Sequence, residues 1–200
     1  MRYDAIVVGG GIAGASIAYW LSMHRRVLLI ERESGYGYHS TGRSAAEWSA
    51  VHYPGVFSAL TRIGKPFFDR PPEGFASDAL LRRRGNLLFA LHGDAQAGKA
   101  FFERTRAAAP DTVEIDLDRA IEIVPVLRRE RIAACYYDPN NCEIDVDRLL
   151  QGYLKGVRAH GGETVTGTEL VRAERRDGVW RAQVGRQEVS TSIVVNAAGA

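Results

Sequence analysis

The chain has 200 residues, a length for one domain or for one domain carrying an intruding piece of a second. Its composition, 46% hydrophobic and 25% charged, is that of an ordinary globular chain with no low-complexity tract. A net charge of +2 gives no electrostatic case for nucleic acid, and no apolar run approaches the roughly eighteen residues of a membrane-crossing helix.

The N-terminal segment carries the clearest pattern. An apolar run (Ala5 to Val8) enters Gly9-x-Gly11-x-x-Gly14, and an apolar-periodic helix follows from Ile12 to about Met23. A second apolar run, Val27 to Ile30, stops at Glu31. Strand, glycine turn, helix, strand and acid in this order form the βαβ fingerprint of a dinucleotide site. Gly9 permits the tight turn, Gly11 lets backbone approach a pyrophosphate, and Gly14 lets the helix pack close to the sheet. Ile12 and Ala13 open the helix, whose free N–H groups and positive dipole end favour phosphates. Glu31, about twenty residues beyond the turn, can accept hydrogen bonds from ribose hydroxyls and repel a 2′-phosphate.

A polar, glycine-rich connection covers residues 32–42. A helix is expected from near Ser44 to a break at Pro54, and another from Val56 to Phe68 before Pro71-Pro72. Asn86 to Leu91 reads as a strand. Asp94 can cap a helix through Ala109, closed by Pro110, and Asp118 a shorter one through Ile123. Ile132 to Tyr137 is a further strand. Asp145 looks like the N-cap of a helix stopped by Gly161-Gly162, with Leu149, Leu150, Tyr153, Leu154 and Val157 on one apolar stripe. Strand-like runs follow to residue 189, and Ser192 to Asn196 leads into Ala197-Ala198-Gly199-Ala200.

Arg82-Arg83-Arg84 and Arg128-Arg129 with Arg131 read as solvated loop or helix ends. Cys135 and Cys142 have neither metal nor redox spacing, so reduced thiols and no metal are expected. The chain begins almost directly in a strand, so no leader peptide and a soluble, cytoplasmic protein are the expectations. Between about 76 and 143 the pattern changes to strand, two helices and strand. This divides the chain into a nucleotide-binding domain, 1–75 and 144–200, and an inserted piece, 76–143.

Three further segments narrow the cofactor: GYHSTGRSAA (Gly37 to Ala46), the helix from Asp145 to Gly162, and IVVNAAGA (Ile193 to Ala200). With the fingerprint, they resemble the D-amino-acid-oxidase superfamily of FAD-dependent oxidoreductases. The stretches YHSTGRSAA, FFDRPPEGF, IVPVLRRERI and YDPNNCEIDVDRLLQGYLKGVR are more similar still to bacterial D-arginine dehydrogenases. The resemblance covers essentially the whole chain. It implies an α/β fold: an FAD-binding, Rossmann-like layer sandwich of the glutathione-reductase type, interrupted by the start of an α+β substrate domain. It also implies roughly as much sequence again beyond this chain, carrying the substrate's carboxylate clamp.

FAD is the implied cofactor. Ser40, Thr41, Gly42, Arg43 and Ser44 then supply hydroxyls, a guanidinium and N–H groups at a new helix N-terminus beside the pyrophosphate and flavin. Ala45 and Ala46 lie close to the ring, where a flat aromatic needs small neighbours. Arg32 stands near the adenine. Leu170, in the strand after Gly161-Gly162, meets it through backbone, and the Ala197-Ala198-Gly199 turn, with no large side chains, gives further close approach.

The implied reaction oxidises the C–N bond of an amino acid or amine, with a D-amino acid expected. Hydride passes from the amine-bearing carbon to flavin N5, and the imine hydrolyses to keto acid and ammonia. Dehydrogenase is favoured over oxidase, and the electron acceptor is open. The substrate side departs from these relatives. Glu47 stands where they place a histidine near the flavin, His52 aligns with their active-site tyrosine, and Asn86 with a carboxylate for a basic side chain. Those roles do not carry over, and Asn86 argues against a cationic substrate. His52 remains as a substrate-side candidate. Two alternatives stand: an FAD-binding fragment that catalyses nothing, and a nicotinamide dehydrogenase, which has no need of STGRSAA or the AAGA turn.

Overall fold

A computed structural model describes residues 1–51 and 55–199. In chain order its elements are β1 (Arg2–Val8), α1 (Ile12–Ser22), β2 (Val27–Ile30), β3 (Glu47–Trp48), α2 (Val56–Asp69), β4 (Leu81–Arg83) and β5 (Asn86–Leu91). Then come α3 (Ala95–Thr105), β6 (Val113–Ile115), α4 (Leu117–Ile123), β7 (Ile132–Asp138), β8 (Cys142–Ile144) and α5 (Val146–Ala159). Four strands close the chain: β9 (Glu163–Val165), β10 (Leu170–Arg176), β11 (Val179–Val184) and β12 (Gln187–Asn196). Two compact units result, one of Met1–Ala45, Pro72–Asp78 and Val146–Ala200, the other of Ala46–Pro71 and Ala79–Asp145.

The first unit is built on a six-stranded sheet in the order β10-β11-β12-β1-β2-β9. Strands β12, β1, β2 and β9 run parallel, while β10, β11 and β12 form an antiparallel meander. A strand in the middle of a parallel sheet is covered on both faces, and all four residues of β2 are buried. β1 starts at Arg2, earlier than its apolar run, because Arg2 and Tyr3 pair with Ser190 and Thr191 of β12. α1 packs beside α5, where glycines four apart open one face. A Cβ on Gly152 would lie 2.4 Å from the Phe75 ring, and one on Gly156 2.3 Å from the Tyr19 ring. The ring centroids of Tyr19 and Phe75 are 5.6 Å apart, and those of Phe75 and Tyr153 5.1 Å. Gly161, at φ +83°, turns the chain out of α5, and Gly162 N donates back to Val157 O at 2.9 Å.

The second unit holds two antiparallel three-stranded sheets, β3-β8-β4 and β5-β7-β6. Trp48, Ala50 and Cys142 form the core of the first with Phe68 of α2. Ala120, Ile132 and Cys135 form that of the second, under Leu117 and Leu127. α3 lies close on β5, since a Cβ on Gly98 would come within 2.5 Å of the Ala90 methyl.

Several expected elements differ. No helix starts at Ser44. Ala46 sits at φ +52°, which ends any helical run, and Glu47–Trp48 pairs with β8 instead. Residues 46–71, expected with the nucleotide-binding part, fall in the second unit, and 72–78 in the first. α3 stops at Thr105, whose hydroxyl donates to Phe101 O and Phe102 O, and Asp94 makes no cap bond. The cap of α4 is Asp116, not Asp118: its carboxylate accepts from Arg119 N at 2.7 Å. Arg82 and Arg83 lie on β4 rather than in a loop, with Arg82 paired to Glu143 at 2.6 Å. Among the described residues, no helix is long and apolar enough to cross a membrane.

Candidate functional site

The first unit carries a cavity of about 600 Å³ at the carboxyl ends of β1, β2 and β12. Ligands of open α/β sheets bind in this position, and the volume falls in the usual range for small-molecule sites. Gly9, Gly11, Ile12 and Ala13 line it from the β1–α1 turn, and Glu31 and Arg32 from the end of β2. Ser40 and Thr41 enter from the connection after β2, Leu170 from the start of β10, and Ala198 and Gly199 from the turn after β12.

The glycine turn is a cradle that side chains would fill. Gly9 has φ +106°, and a Cβ there would stand 2.2 Å from the Ala197 carbonyl oxygen. A Cβ on Gly14 would stand 1.8 Å from the Gly9 carbonyl oxygen, so Gly14 supports the turn from behind and does not line the cavity. Two backbone bonds join the strand ends beneath it: Gly9 N to Ile30 O and Ala197 N to Val8 O, both 2.8 Å. The first turn of a helix leaves N–H groups without intrahelical acceptors. Here Ile12 N donates to Thr41 Oγ1 at 2.9 Å, and Ile12 and Ala13 border the cavity.

Glu31 is fixed rather than free. Its two carboxylate oxygens accept from Gly10 N at 2.7 Å and Glu33 N at 2.8 Å. A carboxylate offers about four lone-pair directions, so acceptor capacity remains for ribose hydroxyls. Burial pushes the Tyr36 phenol up, and its ring is the neighbour that excludes a side chain from Gly10. Beside the cavity, His39 Nε2 lies 2.9 Å from Glu33 Oε1. Hydrogen bonding to His39 holds the Glu33 carboxyl below the usual carboxylate range, helped by Arg32 at 3.4 Å.

The connection from 35 to 45 does not form the expected helix N-terminus. It is a folded loop, held by Gly37 N to Gly10 O at 3.1 Å and Gly42 N to Gly37 O at 2.7 Å. Ser44 Oγ donates to Thr41 O, and the Arg43 guanidinium lies over the Tyr38 ring at 5.4 Å. Gly42, Arg43, Ser44, Ala45 and Ala46 do not line the cavity. Leu170 also sits differently, since β9 intervenes between Gly161-Gly162 and its strand. His52 lies outside the described residues. Glu47 accepts from Asn141 Nδ2 at 2.5 Å, with Arg84 at 3.8 Å, and Asn86 opens β5 opposite Asp138.

Sequence reasoning missed part of the lining. Val8, Ile30, Val194 and Asn196 lie toward the carboxyl ends of parallel strands, and that rule alone finds them. Gly37, Tyr38 and His39 precede the STG triplet in the same loop. Thr168 and Glu169 carry no local signal; the route from β9 to β10 brings them in.

A family model for the FAD dependent oxidoreductases matches residues 4–200. The chain belongs to that family. Dimethylglycine dehydrogenase of rat mitochondria is 24% identical over 99% of this chain, which spans 24% of that protein. The fold matches glycine oxidase of Geobacillus kaustophilus with a TM-score of 0.83 at 19% identity, covering 100% of this chain and 56% of that one. It also matches an FAD-bound L-α-glycerophosphate oxidase from Mycoplasma pneumoniae, TM-score 0.84 at 17% identity, over 100% of this chain and 54% of that one. The chain thus spans about a quarter of the rat protein and about half of the two oxidases. The family's cofactor is FAD, and the α/β fold is the one its solved members share.

Proposed function

We propose that the cavity of the first unit holds FAD, and that the whole protein oxidises the C–N bond of an amino acid or amine. The observation that carries the cofactor assignment is the glycine cradle: the Gly9 and Gly14 contacts leave no room for side chains where α1 begins. A pyrophosphate there meets the positive end of α1 and its first-turn N–H groups. Glu31 takes the ribose hydroxyls, while Arg32 and Leu170 border the adenine. Ser40 and Thr41 lie along the pyrophosphate, and Ala198 and Gly199 admit the middle of the cofactor. Arg43, Ser44 and Ala45, which lie in the same loop outside the cavity lining, are assigned to the flavin end by the family resemblance alone.

When bound, FAD supplies a two-electron acceptor for hydride from the substrate carbon. The chain's own part is to bind and orient it, with Thr41 holding the start of α1 in place through Ile12 N. The amine-bearing carbon gives up hydride and its nitrogen a proton; water then converts the imine to a keto acid and ammonia. The name of the rat relative and that of the Geobacillus oxidase both support an amino-acid substrate. The similarity to D-arginine dehydrogenases favours the D-isomer, and Asn86 in place of a carboxylate favours a neutral side chain.

Anaerobic addition of D-amino acids to the FAD-loaded protein tests this reading. Bleaching of the flavin bands by a D-amino acid, and not by glycerol 3-phosphate, supports it. Bleaching only by glycerol 3-phosphate overturns the C–N assignment. Bound flavin that no substrate bleaches is the behaviour of a cofactor-holding piece alone.

A further inference from the structure

The walls of the cavity are built unevenly along the length of a dinucleotide. Around Glu31, three backbone bonds fix the neighbouring segment: Thr168 N donates to Glu31 O at 2.9 Å, Gly167 N to Glu33 O at 2.8 Å and Gly185 N to Glu169 O at 2.9 Å. Thr168, Glu169 and Leu170 are thereby held beside the exit of β2, where Arg32 also lines the cavity. Tyr38 and His39 belong to the same end: His39 Nε2 lies 2.9 Å from Glu33 Oε1, and the Tyr38 ring meets His39 edge-on at 5.1 Å. Gly9, Gly11, Ile12 and Ala13 make the next stretch, closed by Thr41 through Ile12 N. Beyond Thr41 that side of the lining stops. Gly42 N folds back to Gly37 O at 2.7 Å, Ser44 Oγ returns to Thr41 O, and Gly42 to Ala45 add nothing to the walls. Opposite, Ala197, Ala198 and Gly199 have no polar side chain, and Asn196 Oδ1 accepts from Ala198 N at 3.2 Å.

We propose that this chain recognises its cofactor through the ADP half alone, and that the isoalloxazine ring adds no affinity here. This rests on the assignment of FAD to the cavity. Walls fixed by backbone bonds before a ligand arrives lose little freedom on binding, so affinity accumulates where such walls stand. The adenosine meets the fixed segment at 168–170 and the Glu31 carboxylate, and the pyrophosphate meets the glycine cradle and the start of α1. A ring reaching past Thr41 finds no lining residue of this cavity on that side and gains little burial. The consequence is a selectivity by half-molecule. Any adenosine diphosphate diester fits as FAD does, whereas a flavin mononucleotide, which lacks the adenosine and the second phosphate, does not.

Calorimetric titration of the 200-residue chain with FAD, ADP-ribose and FMN decides the matter. ADP-ribose carries the pyrophosphate diester of FAD with a ribose in place of the flavin. FAD and ADP-ribose are expected to compete for one site with dissociation constants within about tenfold of each other, while FMN gives no binding heat at concentrations that saturate the other two. ADP-ribose held more than about tenfold less tightly than FAD overturns the half-site while leaving the cofactor assignment intact, as does FMN bound as tightly as FAD. A chain that binds none of the three overturns the cofactor assignment and the half-site with it.

Discussion

Gly14→Ala puts the account under its hardest structural test. The added methyl would stand 1.8 Å from the Gly9 carbonyl oxygen and 3.0 Å from its carbonyl carbon, where ordinary contact begins near 3.4 Å. Neither neighbour is a side chain that can swing away, and Gly9 is fixed through its N–H to Ile30 O. The first turn of α1 and the Gly9 peptide must therefore part by well over an ångström. Overpacking of this kind costs about 1–3 kcal/mol, which lowers Tm by about 2–12 °C in a chain of this size. Displacing one charge-assisted hydrogen bond to a phosphate loses about 1.5–3 kcal/mol more from binding. FAD affinity should fall roughly 10- to 100-fold. Gly35→Ala is the control: its Cβ meets no atom within 4 Å, so stability stays within about 0.5 kcal/mol and FAD binding is unchanged. A thermal melt and a flavin titration of both variants suffice. A folded Gly14→Ala chain that binds FAD as wild type does would refute the reasoning.

Thr41→Val removes the acceptor of Ile12 N; it should cost about 1 kcal/mol in chemical denaturation and weaken FAD binding, with Thr41→Ser restoring both. Asp116→Ala should lose about 1 kcal/mol as the cap of α4 goes, whereas Asp118→Ala should stay within about 0.5 kcal/mol; a reversed order in denaturant titration would contradict the cap assignment. Burial, with a smaller contribution from Tyr19, pushes the Tyr153 phenol up to about 12 from an ordinary 10.0. The unfolded chain releases that proton first, so stability is steady below about pH 10 and falls as pH rises from there toward about 12. Tyr153→Phe should flatten this alkaline fall in Tm against pH, and an unchanged profile would contradict it.

The β1–α1–β2 unit was legible nearly residue by residue because its determinants are local: apolar runs, glycine spacing and one terminal acid. β2 has its expected bounds, and α1 ends within a residue of the expected point. The second unit was harder to read for a physical reason. β3, β4, β6 and β8 are two or three residues long, too short for any periodicity, and exist because a neighbouring strand completes their hydrogen bonds. The STGRSAA loop misled in another way. Its hydroxyls and small residues imitate a helix cap, yet they are held by bonds to Gly10, Gly37 and Ile12 that sequence spacing does not reveal. The same holds for the cavity rim, where Glu33 and His39 become partners only once the loop has folded.

The most direct test of the central claim is the visible spectrum of the chain after incubation with FAD and removal of free flavin. Retained flavin bands at about one FAD per chain, lost in Gly14→Ala and kept in Gly35→Ala, are the predicted result. A wild-type chain that elutes colourless, or a Gly14→Ala chain that retains the same flavin, would contradict the assignment of the cofactor to this cavity.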